Sequence, residues 1–198
     1  MGLLPREERW KVFEPEIKLI KDQWLVNYCK TLFTLAPEYF WTIEASITKK
    51  HHPPDDVSFA GLVHHTKKVT YMGIELVEAM SIGDTKDEVI AACLFHDIVK
   101  YGSSDIVNPT NSYAWFQQHD IHGAEFFLRS CEIKPIPEKV QVIANAIEKH
   151  NGRWSKTSPS NKLEWTVHFA DYTMSRNKVV MKLFPGEELH TPTEKVAF

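Results

Sequence analysis

The stretch Asp87–Gly102, DEVIAACLFHDIVKYG, decides how this chain folds. Val89, Ala92, Cys93 and His96 recur at steps of three and four, the spacing of one face of an α-helix. Just ahead of them, Thr85 and Glu88 have capping-box spacing, so a helix is predicted to start after Asp84. Gly102 suits the position just past its end. The apolar stripe should point into a core, yet it carries the imidazole of His96, with the carboxylate of Asp97 beside it. An unpaired buried polar group costs about 1–3 kcal/mol. An ionised carboxylate costs more unless it is paired or bound to metal.

The same conflict recurs along the chain. Helical periodicity predicts further helices over about Glu16–Leu35, Pro37–Lys49, Phe59–Met80 and Ser112–Ser130, then from Pro137 to near His150 and onward from Asn161. Their breaks fall at segments such as His51–Asp56 (HHPPDD) and Asn151–Asn161. His65 lies on a stripe with Leu62, Val69, Met72 and Leu76; His122 on one with Trp115, His119 and Phe126. His150 shares a face with Val140, Ile143 and Ile147, and Asp171 one with Leu163, Val167, Ala170 and Met174.

Ten histidines supply many candidates, and helical phase selects among them. His64 lies about 100° around the helix from His65, next to Lys67 and Lys68, so His65 is preferred. His119 is one turn from His122, and both can face inward. His168 precedes Asp171 by one turn and reads most simply as surface, with support of the site's ligands as the alternative. His51, His52 and His190 lie in turn or tail sequence and are expected to be solvated.

Any one buried histidine can be satisfied by a backbone carbonyl. Six N/O candidates on five consecutive helices are different: His65, His96, Asp97, His122, His150 and Asp171 meet only if the helices surround one site. Imidazole and carboxylate suit zinc, iron, manganese and related divalent ions. Six ligands exceed the three or four of a single zinc site and suffice for two ions with positions left open.

Composition narrows the class. A length of 198 residues fits one domain, and 43% hydrophobic with 25% charged residues is ordinary for a globular protein. The expected organisation is a single domain over 1–198, with a core at about 59–178, N-terminal helices within 1–50 packed on it and a tail at 181–198. A net charge of −3 does not indicate a nucleic-acid binder. Cys29, Cys93 and Cys131 form no C-x-x-C pair and no disulfide framework. No membrane-length apolar run and no secretory-type leader is present, so a cytoplasmic location is expected. The sequence leaves open a homo-oligomer. The aromatic-rich N-terminal segment reads as packing, with a lid or dimer surface as the alternative.

The pieces GLVHHT (Gly61–Thr66), LFHDIVKYG (Leu94–Gly102), HGAEFF (His122–Phe127), IEKHNG (Ile147–Gly152) and FADYTMSR (Phe169–Arg176) resemble the HD-domain superfamily of metal-dependent phosphohydrolases. The resemblance implies an all-α helical bundle with the metal site at its centre. It aligns the family's first histidine with His65 and follows the order His, His-Asp, His, His, Asp. Members with both central histidines usually hold two metals, so it implies two divalent ions (Fe, Mn, Zn, Co or Mg) with Asp97 as bridge. Asn151 after His150 departs from the paired histidines of some cyclic-dinucleotide phosphodiesterases.

The implied activity is hydrolysis of a phosphate ester or anhydride by metal-activated water, on a small-molecule phosphate substrate, a nucleotide foremost. Asp97 and Lys100 are the catalytic candidates. Lys100, Lys149, Arg153 and Arg176 are the candidate phosphate contacts, each with a plainer reading as a helix-end or solvated surface charge. A di-iron oxygenase resembling inositol oxygenase, cleaving a C–C or C–P bond with O₂, is the alternative.

Overall fold

The structure, a computed structural model, describes residues 3–46, 49, 52–105, 107 and 112–177, with the side chains of 112–114 excepted. The expected tail at 181–198, with His190, and also His51 lie outside the described residues. Those described form an all-α bundle: α1 (Glu14–Ile17), α2 (Gln23–Leu35), α3 (Gly61–Ala79), α4 (Lys86–Phe95), α5 (Ser112–Gln117), α6 (His119–Arg129), α7 (Glu138–Glu148) and α8 (Lys162–Met174).

Helix α4 is the axis of the bundle. Its residues from Val89 to Phe95 are all buried, so it has no polar face. Helices α3, α7 and α8 pack around it, and α6 packs on α7. The expected capping box does not form: Thr85 Oγ1 instead donates to Ile82 O at 2.9 Å. The helix also ends at Phe95 rather than near Tyr101. From there the chain tightens into i→i+3 turns, with Ile98 N bonded to Phe95 O and Lys100 N to Asp97 O. Gly102, at φ 110°, then takes a conformation closed to most other residues. These turns let the adjacent side chains of His96 and Asp97 enter the same interior.

Two predicted helices divide. Glu16–Leu35 breaks because the Asp22 side chain accepts from Trp24 N and Leu25 N, starting α2 afresh. Ser112–Ser130 breaks at Gln118, whose φ of −130° separates α5 from α6. Among the described residues of Pro37–Lys49, only a 3₁₀ turn forms, at Glu38–Trp41. The N-terminal aromatics serve as core. Phe13 stacks on Phe33 at 4.5 Å between centroids, and Phe33 meets Phe95 at 4.6 Å. Each fully buried phenylalanine is worth about 1.5–3 kcal/mol of apolar transfer. The clamp therefore fixes the end of α4, from which the turn carrying His96 and Asp97 begins. No described helix is long and apolar enough to cross a membrane.

Candidate metal centre

His96, His119 and His150 are built alike. Each Nδ1 meets the carbonyl three residues earlier: Cys93 O at 2.8 Å, Phe116 O at 2.6 Å and Ile147 O at 2.7 Å. A carbonyl only accepts, so each Nδ1 carries a proton, and in the neutral form of each ring the lone pair sits on Nε2. All three Nε2 atoms face Asp97. His96 Nε2 is 3.4 Å from Oδ2, while His119 and His150 lie 3.1 and 3.7 Å from Oδ1. His65, in the middle of α3, approaches Asp97 Oδ2 at 3.9 Å and Asp171 Oδ1 at 3.0 Å through its own Nε2.

Two groups of potential ligands thus share Asp97: His65 and His96 with Asp97, and Asp97 with His119 and His150. Asp171 Oδ1 is also 3.8 Å from His96 Nε2. The Nε2 atoms of His119 and His150 stand 3.1 Å apart, lone pair toward lone pair. Asp97 Oδ1 is buried and makes no hydrogen bond among the described residues. Asn151 Nδ2 lies 3.3 Å from His119 Nε2 and can donate to it; the other lone pairs converge without a donor between them, a set that fits a cation.

In the metal-free protein the same groups also act on one another as charges. Burial alone would raise the Asp97 carboxyl, but Lys100, His96 and His119 outweigh it and hold it well below the usual carboxylate range. Asp171 is held down in the same way, chiefly by His65. Burial, followed by repulsion from His119 and His96, pushes His150 down to about 4, so its ring is neutral at neutral pH. Burial would also lower His65, but Asp171 and Asp56 overcome it and raise the group to about 9.

The structure brings together His65, His96, Asp97, His150 and Asp171 from the sequence-derived set. It does not bring in His122. That ring lies against Trp115, 4.1 Å between centroids, beside Glu125 and partly exposed. His119 takes the inner position. The inward face of α6 runs His119, Gly123, Phe127, at steps of four, which rotates His122 off it. A Cβ on Gly123 would stand 3.3 Å from His96 O, and this close approach sets the face. No spacing in the sequence separates the two histidines; the contact of Gly123 with another helix does.

Two residues of the HHPPDD break also lie here, His52, which was expected to be solvated, and Asp56. His52 is only 13% exposed at its side chain, and its Nδ1 lies 3.3 Å from Asp56 Oδ2. Asp56 is fully buried behind His65.

Lys100 is buried, with Nζ 2.5 Å from Asp97 Oδ2. Lys149 instead turns to Glu164, at 2.8 Å. Arg153 lies over the ring of Trp154 and Arg176 over that of Tyr172, at 4.4 and 4.0 Å. His168 supports the turn after His150, its Nδ1 meeting His150 O at 2.7 Å.

An all-α bundle closed around a buried histidine–aspartate cluster able to hold metal is the class that fold and site define. The family model "HD domain" matches residues 46–175, about two thirds of the chain, and the chain belongs to the HD-domain family. That family consists mostly of metal-dependent hydrolases. Searches of curated proteins and of solved structures returned no match.

Proposed function

We propose that the chain is a two-metal phosphohydrolase acting on a phosphate ester or anhydride of a nucleotide. The observation that carries this reading is Asp97, with imidazoles at both carboxylate oxygens: His65 and His96 towards Oδ2, His119 and His150 towards Oδ1. In this reading His65, His96, Asp97 and Asp171 hold one ion, and Asp97, His119 and His150 hold the other. Held there, two divalent ions would supply a water of lowered pKa and a clamp for phosphoryl oxygens.

The residues around the ions do the rest. Lys100 carries a buried ammonium against Asp97 and can turn its N–H donors to a phosphate oxygen of the substrate. Arg153 and Arg176 offer guanidiniums beside Trp154 and Tyr172, two exposed aromatics whose rings lie 15° from parallel. Flat exposed aromatics backed by cations suit a base joined to phosphates. Trp154 follows His150 by four residues, and Tyr172 follows Asp171 directly. Lys149 is left out because Glu164 holds its charge.

The test is release of phosphate or nucleoside from a panel of nucleotides and phosphodiesters, with manganese, cobalt, zinc, magnesium or iron supplied. Hydrolysis of at least one nucleotide is expected. Oxygen consumption by the iron-loaded protein with no ester cleaved would instead favour the oxygenase chemistry, and no turnover under any condition would sink both.

A further inference from the structure

Three of the four inward histidines lean on a carbonyl of their own chain, three residues back. His65 does not. It sits in the fifth position of α3, where the carbonyl of Leu62 already accepts from Thr66 Oγ1. Its Nδ1 makes no hydrogen bond among the described residues and faces the Asp56 carboxylate, with Oδ2 at 3.4 Å.

Asp56 is held for this position. Its backbone N bonds to Pro53 O and its O accepts from Ala45 N at 2.7 Å. Its other carboxylate oxygen pairs with the buried Lys68. The chain can bring it so close to α3 only because residue 61 is glycine: a Cβ there would stand 2.1 Å from Asp56 O.

We infer that Asp56 is a positioning residue, a carboxylate that fixes and strengthens His65 as a donor and so selectively tightens metal binding at the His65–His96–Asp171 end of the centre. The physical reason is general. A carboxylate behind an imidazole fixes its tautomer and orientation and makes the far nitrogen more basic, and losing such a partner costs about 10–100-fold in metal affinity. The His119 and His150 end has only carbonyl backing, so the two ends are built unequally. This inference rests on the metal-centre reading above.

The test compares Asp56→Asn, and the charge-balanced double variant Asp56→Asn with Lys68→Met, against the wild type by titration with cobalt(II), read by visible absorption and by competition with a chelator. His65→Ala identifies which binding step belongs to the His65 end. Expected is a 10–100-fold loss in that step, with the other step within about threefold, and a metal-free melting temperature in the double variant close to the wild type's. Unchanged affinity in the double variant would overturn the inference, as would equal loss at both steps. A wild type that binds no metal defeats the metal-centre reading itself, a separate result.

Discussion

The Nε2 of His119 stands 3.1 Å from Oδ1 of Asp97, joining the first residue of α6 to the turn that follows α4. His122, three residues on, makes no such approach and lies on Trp115. The two histidines therefore part company in function. His119→Ala should lower metal content by about one ion per chain and activity by about 100-fold or more, whereas His122→Ala should keep both near wild type. Metal analysis of the two purified variants checks this. Equal losses in both would contradict it.

Gly123 sets that approach. An alanine there would bring its Cβ to 3.1 Å from Ile147 Cγ2 and 3.3 Å from His96 O. Overpacking of this kind costs about 1–3 kcal/mol. Gly123→Ala should show that loss in urea unfolding and should weaken the ion at the His119 and His150 end more than the other. A variant of wild-type stability would show that α6 does not depend on the contact.

Proton competition should be visible at His65. In the metal-free protein its raised value of about 9 stands above the ordinary 6.5, so its ion pairs stabilise the fold fully below about pH 6.5. That contribution is lost as pH rises through 9. A metal at Nε2 must displace the same proton. Apparent affinity should therefore rise between pH 6.5 and 9. Calorimetry in buffers of different ionisation heat should show net proton release near pH ~7.5. Affinity flat across that interval would contradict the assignment of His65.

Substrate contacts should separate from metal binding. Trp154→Ala, Arg153→Ala and Arg176→Ala should each raise KM for the best nucleotide about tenfold, in line with stacking worth about 1–3 kcal/mol. Metal content should stay at the wild-type level. Lys100→Met should instead lower kcat. An unchanged KM in all three would remove this surface from substrate recognition.

The helical class, and most of the residues that meet at the centre, were legible because an imidazole or carboxylate on an apolar stripe stands out against its neighbours. His65, His96, His150 and Asp171 are all of that kind. The exchange of His122 for His119 was not legible from phase, because the two lie only about 60° apart on a helix. It was decided by the break at Gln118 and by the approach of Gly123 to another helix, a tertiary contact. Asp56 and His52 were missed because HHPPDD reads as a break between helices, and only the packing of that segment on α3 buries them. The N-terminal aromatics were legible as packing, but their division into short turns was not, since Asp22 restarts the helix from within the run.

The central claim is a pair of ions bridged by Asp97. Elemental analysis of the full chain, purified without chelator and re-equilibrated with a single divalent metal, tests it most directly. Two ions per chain are expected, falling to near zero in Asp97→Ala while the helical circular dichroism persists. One ion or none in the wild type, or two ions undiminished in Asp97→Ala, would contradict it.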